Sequence, residues 1–176
     1  MTEKEKEQFS KQFLKNLEQQ KKDSDYNRFK KYLNLPIENW PDFNITWDKD
    51  PNKFYLALDS SNPEHFNSEY PYGVSLATVE LNELDNNLNS RSQRTNNEIW
   101  KTGDQSVASC INTCVKGKKL TPPIIEIHEN KLELVVNGGN HRLAVCRAKI
   151  VNIITILIPN DQKKVVSTIL KTLTWI

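Results

Sequence analysis

Two adjacent glycines followed by His and Arg form the stretch of this chain most suited to chemistry. Residues 134–142 read Leu-Val-Val-Asn-Gly-Gly-Asn-His-Arg, an apolar run that turns and continues as a helical pattern. Glycines let a backbone turn sharply and approach a ligand, and the first N–H groups of a helix favour an anion. Arg142 offers a fork of donors and His141 a further donor. The stretch therefore predicts a phosphate site, with a plain strand-to-helix turn as the alternative.

A row of hydroxyl side chains on a predicted helix is the second clue. The helix begins at Asp104 and ends near Gly117, and its apolar positions mark the buried face. Ser106, Ser109 and Thr113 recur at i, i+3 and i+7 and share a neighbouring face. Such aligned hydroxyls either donate to phosphate oxygens or simply solvate the helix.

Three acidic residues follow the first predicted strand. Glu80, Glu83 and Asp85 come directly after residues 73–79, where a carboxylate can bind a metal ion or act as a general base. Beside a bound phosphate, one of them would hold a metal ion such as Mg²⁺ or accept a proton. The alternative is that all three are solvated, as most acidic side chains are.

The cysteines and histidines do not predict a metal site. Cys110 and Cys114 lie on the apolar face of the predicted helix, and His128 and His141 are far apart in the sequence. Cys146 lies on the same predicted helix as His141 but points elsewhere. We expect small buried thiols and no bound metal.

Three segments of different composition organise the chain. Residues 1–35 have helical periodicity and form an arm of two helices, divided near Asp23 or Ser24. Residues 36–73 are rich in Pro, Asn, Asp and aromatic residues, which predicts irregular structure packed on a domain. Residues 74–176 alternate strand and helix patterns. We therefore expect an α+β fold.

The elements of the third segment follow from the same patterns. Its predicted strands are residues 73–79, 124–128, 132–136 and 151–158, with a turn at 129–131. Its predicted helices are residues 104–117, 141–149 and 162–173, and residues 80–95 are predicted as a polar connection.

Charge is distributed unevenly, although the formal net charge is only +2. Residues 1–31 carry nine basic and six acidic side chains, and residues 38–85 carry two basic and ten acidic ones. Residues 101–149 carry eight basic and four acidic side chains, so an anion such as a nucleotide or DNA would bind there.

The remaining expectations concern partners and location. The arm either packs on the domain or binds a protein partner or a second copy of the chain. No stretch approaches the roughly 20 apolar residues of a membrane helix. The first residues lack the apolar core of a signal peptide. We therefore expect a cytoplasmic protein that binds no membrane.

The residues that follow Asp104 resemble the ParB/sulfiredoxin superfamily. The similarity lies in Pro122-Pro123-Ile124, in Gly138-Gly139-Asn140-His141-Arg142, and in the strand near residues 151–158. It covers residues 74–159 and implies a small mixed sheet, flanked by helices, that binds ATP or another nucleotide. In sulfiredoxins the His and Arg of this motif hold the phosphates together with a Ser and a Thr of the preceding helix. The positions of that Ser and Thr match Ser109 and Thr113.

Two departures from sulfiredoxins limit what the resemblance implies. Asn140 stands at the position of the catalytic cysteine, so repair of sulfinic acid by that thiol is not expected. Ser106 stands where sulfiredoxins have a phosphate-binding lysine. The residues after Pro159 are too few for the helix-turn-helix domain of chromosome-partition ParB proteins.

The resemblance implies an enzyme that catalyses phosphoryl transfer or hydrolysis, namely an NTPase, a nuclease or a small-molecule kinase. The alternative is a non-catalytic regulator or adaptor that uses the same fold to bind DNA or a protein.

Overall fold

The computed structural model describes residues 3–58, 62–93, 99–101, 103–128 and 133–176, without the side chains of residues 3–6, 18, 21 and 25. Its fold is α+β. The α-helices are α1 (Glu3–Phe29), α2 (Pro63–Glu69), α3 (Leu81–Asn87), α4 (Asp104–Val115), α5 (Asn140–Ala148) and α6 (Lys163–Ile169). The strands are β1 (Val74–Glu80), β2 (Ile124–Ile127), β3 (Leu134–Gly138), β4 (Ile153–Pro159) and β5 (Thr174–Trp175). None of the described helices combines the length and apolar composition needed to cross a membrane.

The strands form one mixed sheet in the order β3-β2-β4-β1-β5, so β4 is central. β4 runs antiparallel to β1, with Pro159 opposite Val74 and Ile153 opposite Glu80, and parallel to β2. Residues 154–158 of β4 are all buried. Ile154, Ile156 and Ile158 pack into one apolar cluster, and Leu157, which points to the other face of the sheet, packs into another. This burial explains why the strand reads as an almost unbroken apolar run.

α5 is covered on every side. Leu143 and Cys146 pack into the sheet's core, while Val145 packs into the cluster that α4 forms with the irregular segment. Every residue from Arg142 to Ala148 is buried. The helix therefore carries two arginines, Arg142 and Arg147, into the interior.

The arm is one helix rather than two. α1 continues to Phe29 and is followed by a 3-10 turn at Lys30–Tyr32, so the predicted division near Asp23 or Ser24 is wrong. The Asp23 carboxylate accepts a hydrogen bond from Gln19 at 2.8 Å, one helical turn away, and the helix continues through it. Phe29 packs against the cluster that includes α4.

Two further predictions assign the wrong secondary structure. Residues 80–95 include a helix, α3, whose apolar residues Leu81 and Leu84 are buried while the intervening side chains are polar. The predicted helix at 162–173 ends at Ile169, and the chain then adds β5 beside β1. In both places a short element is held by long-range packing that local periodicity does not reveal.

The other predicted elements of the third segment are confirmed with shifts of a few residues. The 132–136 strand lies at Leu134–Gly138, and Gly103 rather than Asp104 occupies the cap position of α4. The predicted turn at 129–131 lies outside the described residues. In the segment 36–73 aromatic rings do cover the core, although it also contains a 3-10 helix at Pro51–Ala57 and α2.

We expect the core around β4 to dominate stability. Ile156 is fully buried, so Ile156→Ala should lower the free energy of unfolding by about 2–5 kcal/mol, measured by urea denaturation. Val165→Ala, at an exposed position of α6, should change it by less than about 0.5 kcal/mol. Equal effects of the two substitutions would contradict this picture of the core.

Candidate functional site

The glycine turn that predicts a phosphate site is packed against the protein itself. β3 ends at Gly138, and Gly139, with φ of 100°, leads into α5. A Cβ on Gly138 would lie 2.3 Å from the carbonyl oxygen of Ala57, and one on Gly139 would lie 2.7 Å from Cβ of Pro123. Both positions need glycine because neighbouring segments of this chain approach them closely.

Arg142 holds backbone carbonyls in the interior. Its Nη1 donates to the carbonyl oxygens of Thr121 at 2.8 Å and Pro122 at 3.3 Å, and its Nη2 donates to that of Ala57 at 2.8 Å. The residue is only 6% exposed. Three carbonyl groups of this chain thus use donors that a phosphate would otherwise take, and we call this arrangement the Arg142 clamp.

His141 and Asn140 lie where the beginnings of α4 and α5 meet. A Cβ on Gly103 would lie 3.7 Å from Nδ1 of His141 and 3.9 Å from Cβ of Ser106, so the two helix N-termini are neighbours. Oδ1 of Asn140 is buried and has no hydrogen-bond partner among the described residues. Asn140 and His141 therefore lie beside the N-termini of α4 and α5, and their side chains take no part in the Arg142 clamp.

Ser109 and Thr113 line a cavity of about 270 Å³ between the end of α1 and the second half of α4. The Thr113 hydroxyl donates to the Ser109 carbonyl at 2.9 Å, which leaves its oxygen as an acceptor. The remaining lining residues are Arg28, Phe29, Asn112, Lys116 and Lys118. We call this hollow the α4 cavity.

Two of the three predicted carboxylates lie near the other end of α5, and the third, Glu83, contacts the chain after α6. Glu80 and Asp85 line a cavity of about 650 Å³ with Arg147, which we call the α5 cavity. Arg147 donates to Asp85 through Nε at 2.8 Å and Nη2 at 2.6 Å, a bidentate ion pair, while its buried Nη1 has no partner among the described residues. Both carboxylate oxygens of Asp85 thus accept hydrogen bonds from Arg147.

Glu83 fixes the chain after α6. Its carboxylate accepts hydrogen bonds from the backbone N–H of Lys171 at 2.5 Å and of Thr172 at 2.8 Å, and from the Thr172 hydroxyl. Burial by itself raises the pKa of Glu83, but the hydrogen bonds from Thr172 and Lys171 outweigh it and leave the pKa below its ordinary value. The contacts of Glu83 are those of a structural anchor.

The structure separates the carboxylates from the predicted phosphate-binding residues. Asn140 begins α5 and Arg147 lies near its end, about 10 Å away at 1.5 Å per residue. Along the sheet, Glu80 pairs with Ile153 at the start of β4, whereas Ile124, opposite Gly138, pairs with Leu157 near its end. A phosphate held near His141 would therefore be out of reach of these carboxylates.

Cys114 and Cys146 are buried, and burial keeps them as thiols. Burial raises the pKa of Cys114 to about 11 and raises that of Cys146 further. Among the described residues no group of three or more His, Cys, Asp or Glu side chains is placed to hold a metal ion.

Beside the glycine turn lies a polar cluster that the sequence does not predict. The Tyr70 hydroxyl donates to the Glu126 carboxylate, and the Asn137 amide donates to Glu126 at 2.8 Å and to the Tyr70 oxygen at 2.9 Å. Burial, together with the Glu126 carboxylate, raises the pKa of Tyr70. The cluster ties β2 and β3 to the segment around α2.

The sequence analysis also does not identify the basic residues of the α4 cavity as site residues. Arg28 lies in the arm, and Lys116 and Lys118 resemble the many other lysines of the chain. The rarity of arginine, five against 19 lysines, is the one sequence signal that singles out Arg28 and Arg147.

No protein-family model, curated protein or solved structure matches this chain. The resemblance to the ParB/sulfiredoxin superfamily thus stays a prediction from the residues that carry it.

The Arg142 clamp predicts that Arg142 stabilises the fold without any ligand. Arg142→Lys replaces the fork of two nitrogens, which bond different segments, by a single nitrogen, so it should lower the free energy of unfolding by about 2–4 kcal/mol in urea denaturation. Arg91→Lys, at an exposed arginine, should change it by less than about 0.5 kcal/mol. Unchanged stability in Arg142→Lys would show that the guanidinium is not a structural clamp.

The anchor role of Glu83 predicts a specific pH dependence. Because its pKa is lower in the folded than in the unfolded chain, its stabilisation is complete above about pH 4.3 and is lost as pH falls through the folded-state pKa. Urea midpoints of Glu83→Gln should therefore fall less steeply between pH 5 and pH 3, about the range where carboxylates titrate, than those of the unmodified chain. Parallel pH profiles would refute this role.

Proposed function

We propose that this protein binds a nucleotide, or a closely related phosphate-bearing ligand, in the α4 cavity, and that it acts as a ligand-dependent regulator or adaptor. The observation that carries the proposal is the lining of this cavity, where hydroxyl, amide and cationic groups converge beside an aromatic ring. Of the two functions that the sequence suggests, the geometry favours the non-catalytic one.

The charges of the α4 cavity suit a phosphate. Arg28, Lys116 and Lys118 contribute three positive charges, and none of the seven described lining residues is acidic. Ser109 and Asn112 add donors that can reach phosphate oxygens without a net charge. A polyanionic ligand would be attracted to the three cations, and its binding would weaken with salt.

An aromatic wall favours a nucleotide over inorganic phosphate. Phe29 lines both the α4 cavity and a neighbouring hollow of about 390 Å³, whose other lining residues include Tyr26 and Gln105. The rings of Tyr26 and Phe29 meet edge to face, with centroids 5.7 Å apart. A base stacked on such rings gains about 1–3 kcal/mol.

The proposal keeps part of the superfamily resemblance and modifies the rest. Ser109 and Thr113, the hydroxyls that match the sulfiredoxin phosphate ligands, face the α4 cavity. Arg142 and the two glycines are engaged by other parts of this chain, so we assign them to the fold. Any Mg²⁺ would arrive with the phosphates, because the described lining offers no carboxylate.

Phosphoryl-transfer chemistry is not part of the proposal. It would need a carboxylate or another base near the phosphates, and Glu80 and Asp85 lie in the α5 cavity, while Glu83 anchors Lys171 and Thr172. Binding of the ligand would instead join the end of α1 to α4, because both helices contribute to the cavity wall.

The α4 cavity predicts where substitutions weaken nucleotide binding. ATP and GTP should bind in calorimetry, and the double variant Lys116→Ala with Lys118→Ala should weaken the affinity at least about tenfold because it removes two of three cations. Lys119→Ala, at an exposed lysine outside the described lining, should leave it within about twofold.

The same samples test the non-catalytic part of the proposal. We expect ATP and GTP to be recovered unchanged after prolonged incubation with Mg²⁺. If the affinity for ATP and GTP is unchanged in the double lysine variant, the assignment of the ligand to the α4 cavity is wrong. Measurable hydrolysis of ATP or GTP would overturn the assignment as a regulator. A salt-dependent gel shift of linear DNA that depends on Lys116 and Lys118 would instead identify nucleic acid as the occupant.

A further inference from the structure

The α5 cavity contains a charged side chain whose donors are only partly used. Arg147 lines this cavity and is 9% exposed. Asp85 accepts hydrogen bonds from its Nε and Nη2, while Nη1, which is also buried, has no hydrogen-bond partner among the described residues. A buried donor without a partner costs free energy, and an acceptor on a bound molecule would remove that cost. The guanidinium therefore indicates a ligand that carries an oxygen acceptor.

The charge of the α5 cavity favours a cation. Two acidic residues, Glu80 and Asp85, and one basic residue, Arg147, leave the described lining with one negative charge in excess. Asp85 and Arg147 neutralise each other in their ion pair. The exposed carboxylate of Glu80 has no hydrogen-bond or ion-pair partner among the residues that the structure describes. An ammonium group on a ligand would supply the opposite charge that Glu80 lacks.

Two exposed isoleucines add an apolar wall to the α5 cavity. Ile150 and Ile153 both line it, and they are 82% and 61% exposed. Ile150 follows the last turn of α5 with φ of 52°, the left-handed position at a helix end where glycine is usual. A β-branched side chain is strained in this conformation, and the exposure of Ile150 means that little packing offsets the strain. Contact with an aliphatic ligand would cover both isoleucines.

We propose that the α5 cavity binds a small organic cation, namely an amine with an aliphatic chain and an oxygen acceptor. The ammonium pairs with Glu80, the chain packs on Ile150 and Ile153, and the oxygen accepts from Nη1 of Arg147. The cavity volume of about 650 Å³ lies within the range of small-molecule sites, about 300–1,000 Å³. This site is separate from the α4 cavity, because the two described linings share no residue and differ in the sign of their charge.

The test begins with ε-aminocaproamide, which carries an ammonium and an amide oxygen at the two ends of a flexible aliphatic chain. An NMR titration of the full chain should give a dissociation constant of about 1 mM, as expected for so small a ligand, with shifts at residues 150–153. Three further compounds each omit one feature. Caproamide lacks the amine, hexylamine lacks the amide and glycinamide lacks the chain, so each should bind at least about threefold more weakly.

Matched variants locate the binding site. Glu80→Gln removes the charge with little change of shape and should weaken binding at least about fivefold. Glu64→Gln, at an exposed carboxylate outside the described lining, should leave the affinity within about twofold. Ile150→Gly removes the apolar contact and also the backbone strain. It should therefore weaken binding at least about threefold while the midpoint of urea denaturation does not fall, which separates loss of binding from loss of the fold.

Several outcomes would overturn the proposal. The absence of binding at about 20 mM probe is one, and equal affinity for caproamide and ε-aminocaproamide is another. An affinity that is unchanged in both Glu80→Gln and Ile150→Gly would place the ligand elsewhere. If Glu80→Gln also abolished the binding of ATP at the α4 cavity, the substitution would be acting on the whole fold, and its effect on the amine could not be assigned to the α5 cavity.

Discussion

Burying a charged group without a partner costs free energy, so a charged side chain on a helix enclosed on all sides needs partners from the segments around it. α5 carries a guanidinium near each end, and the surrounding structure is arranged around them. Arg142 gathers the carbonyls of Ala57, Thr121 and Pro122, and Arg147 takes the Asp85 carboxylate. Each arginine thus joins α5 to segments that are distant in the sequence.

The same constraint explains which parts of the site could be predicted from the sequence. The strand, glycine turn and helix around residues 134–148 are local features, and the apolar run of β4 identifies a central strand. The direction of the Arg142 side chain is not local, because it depends on the Ala57 carbonyl from the irregular segment. A Gly-Gly-x-His-Arg pattern is compatible with phosphate binding and with tight internal packing, and only the neighbouring chain segments distinguish them. The short elements α3 and β5 were unpredictable for a related reason, since Glu83 and Thr172 position each other across the fold.

The fold brings together charged residues from segments that are distant in the sequence. The basic residues Arg28, Lys116 and Lys118 gather at one cavity although they belong to the arm and to the end of α4. The acidic residues Glu80 and Asp85 line a different cavity, together with Arg147 from the last turn of α5.

The position of β1 in the sheet has a consequence for how the chain acquires its structure. Both neighbours of β1 come from much later in the sequence, since Val74 pairs with Pro159 and Thr78 pairs with Thr174. Closing such long loops is entropically costly, which makes this class of topology fold slowly. Until β4 arrives, β1 presents two unpaired strand edges and the apolar residues Ala77 and Val79. The interval before β4 pairs is therefore the time at which newly made chains are most exposed to aggregation and to capture by chaperones.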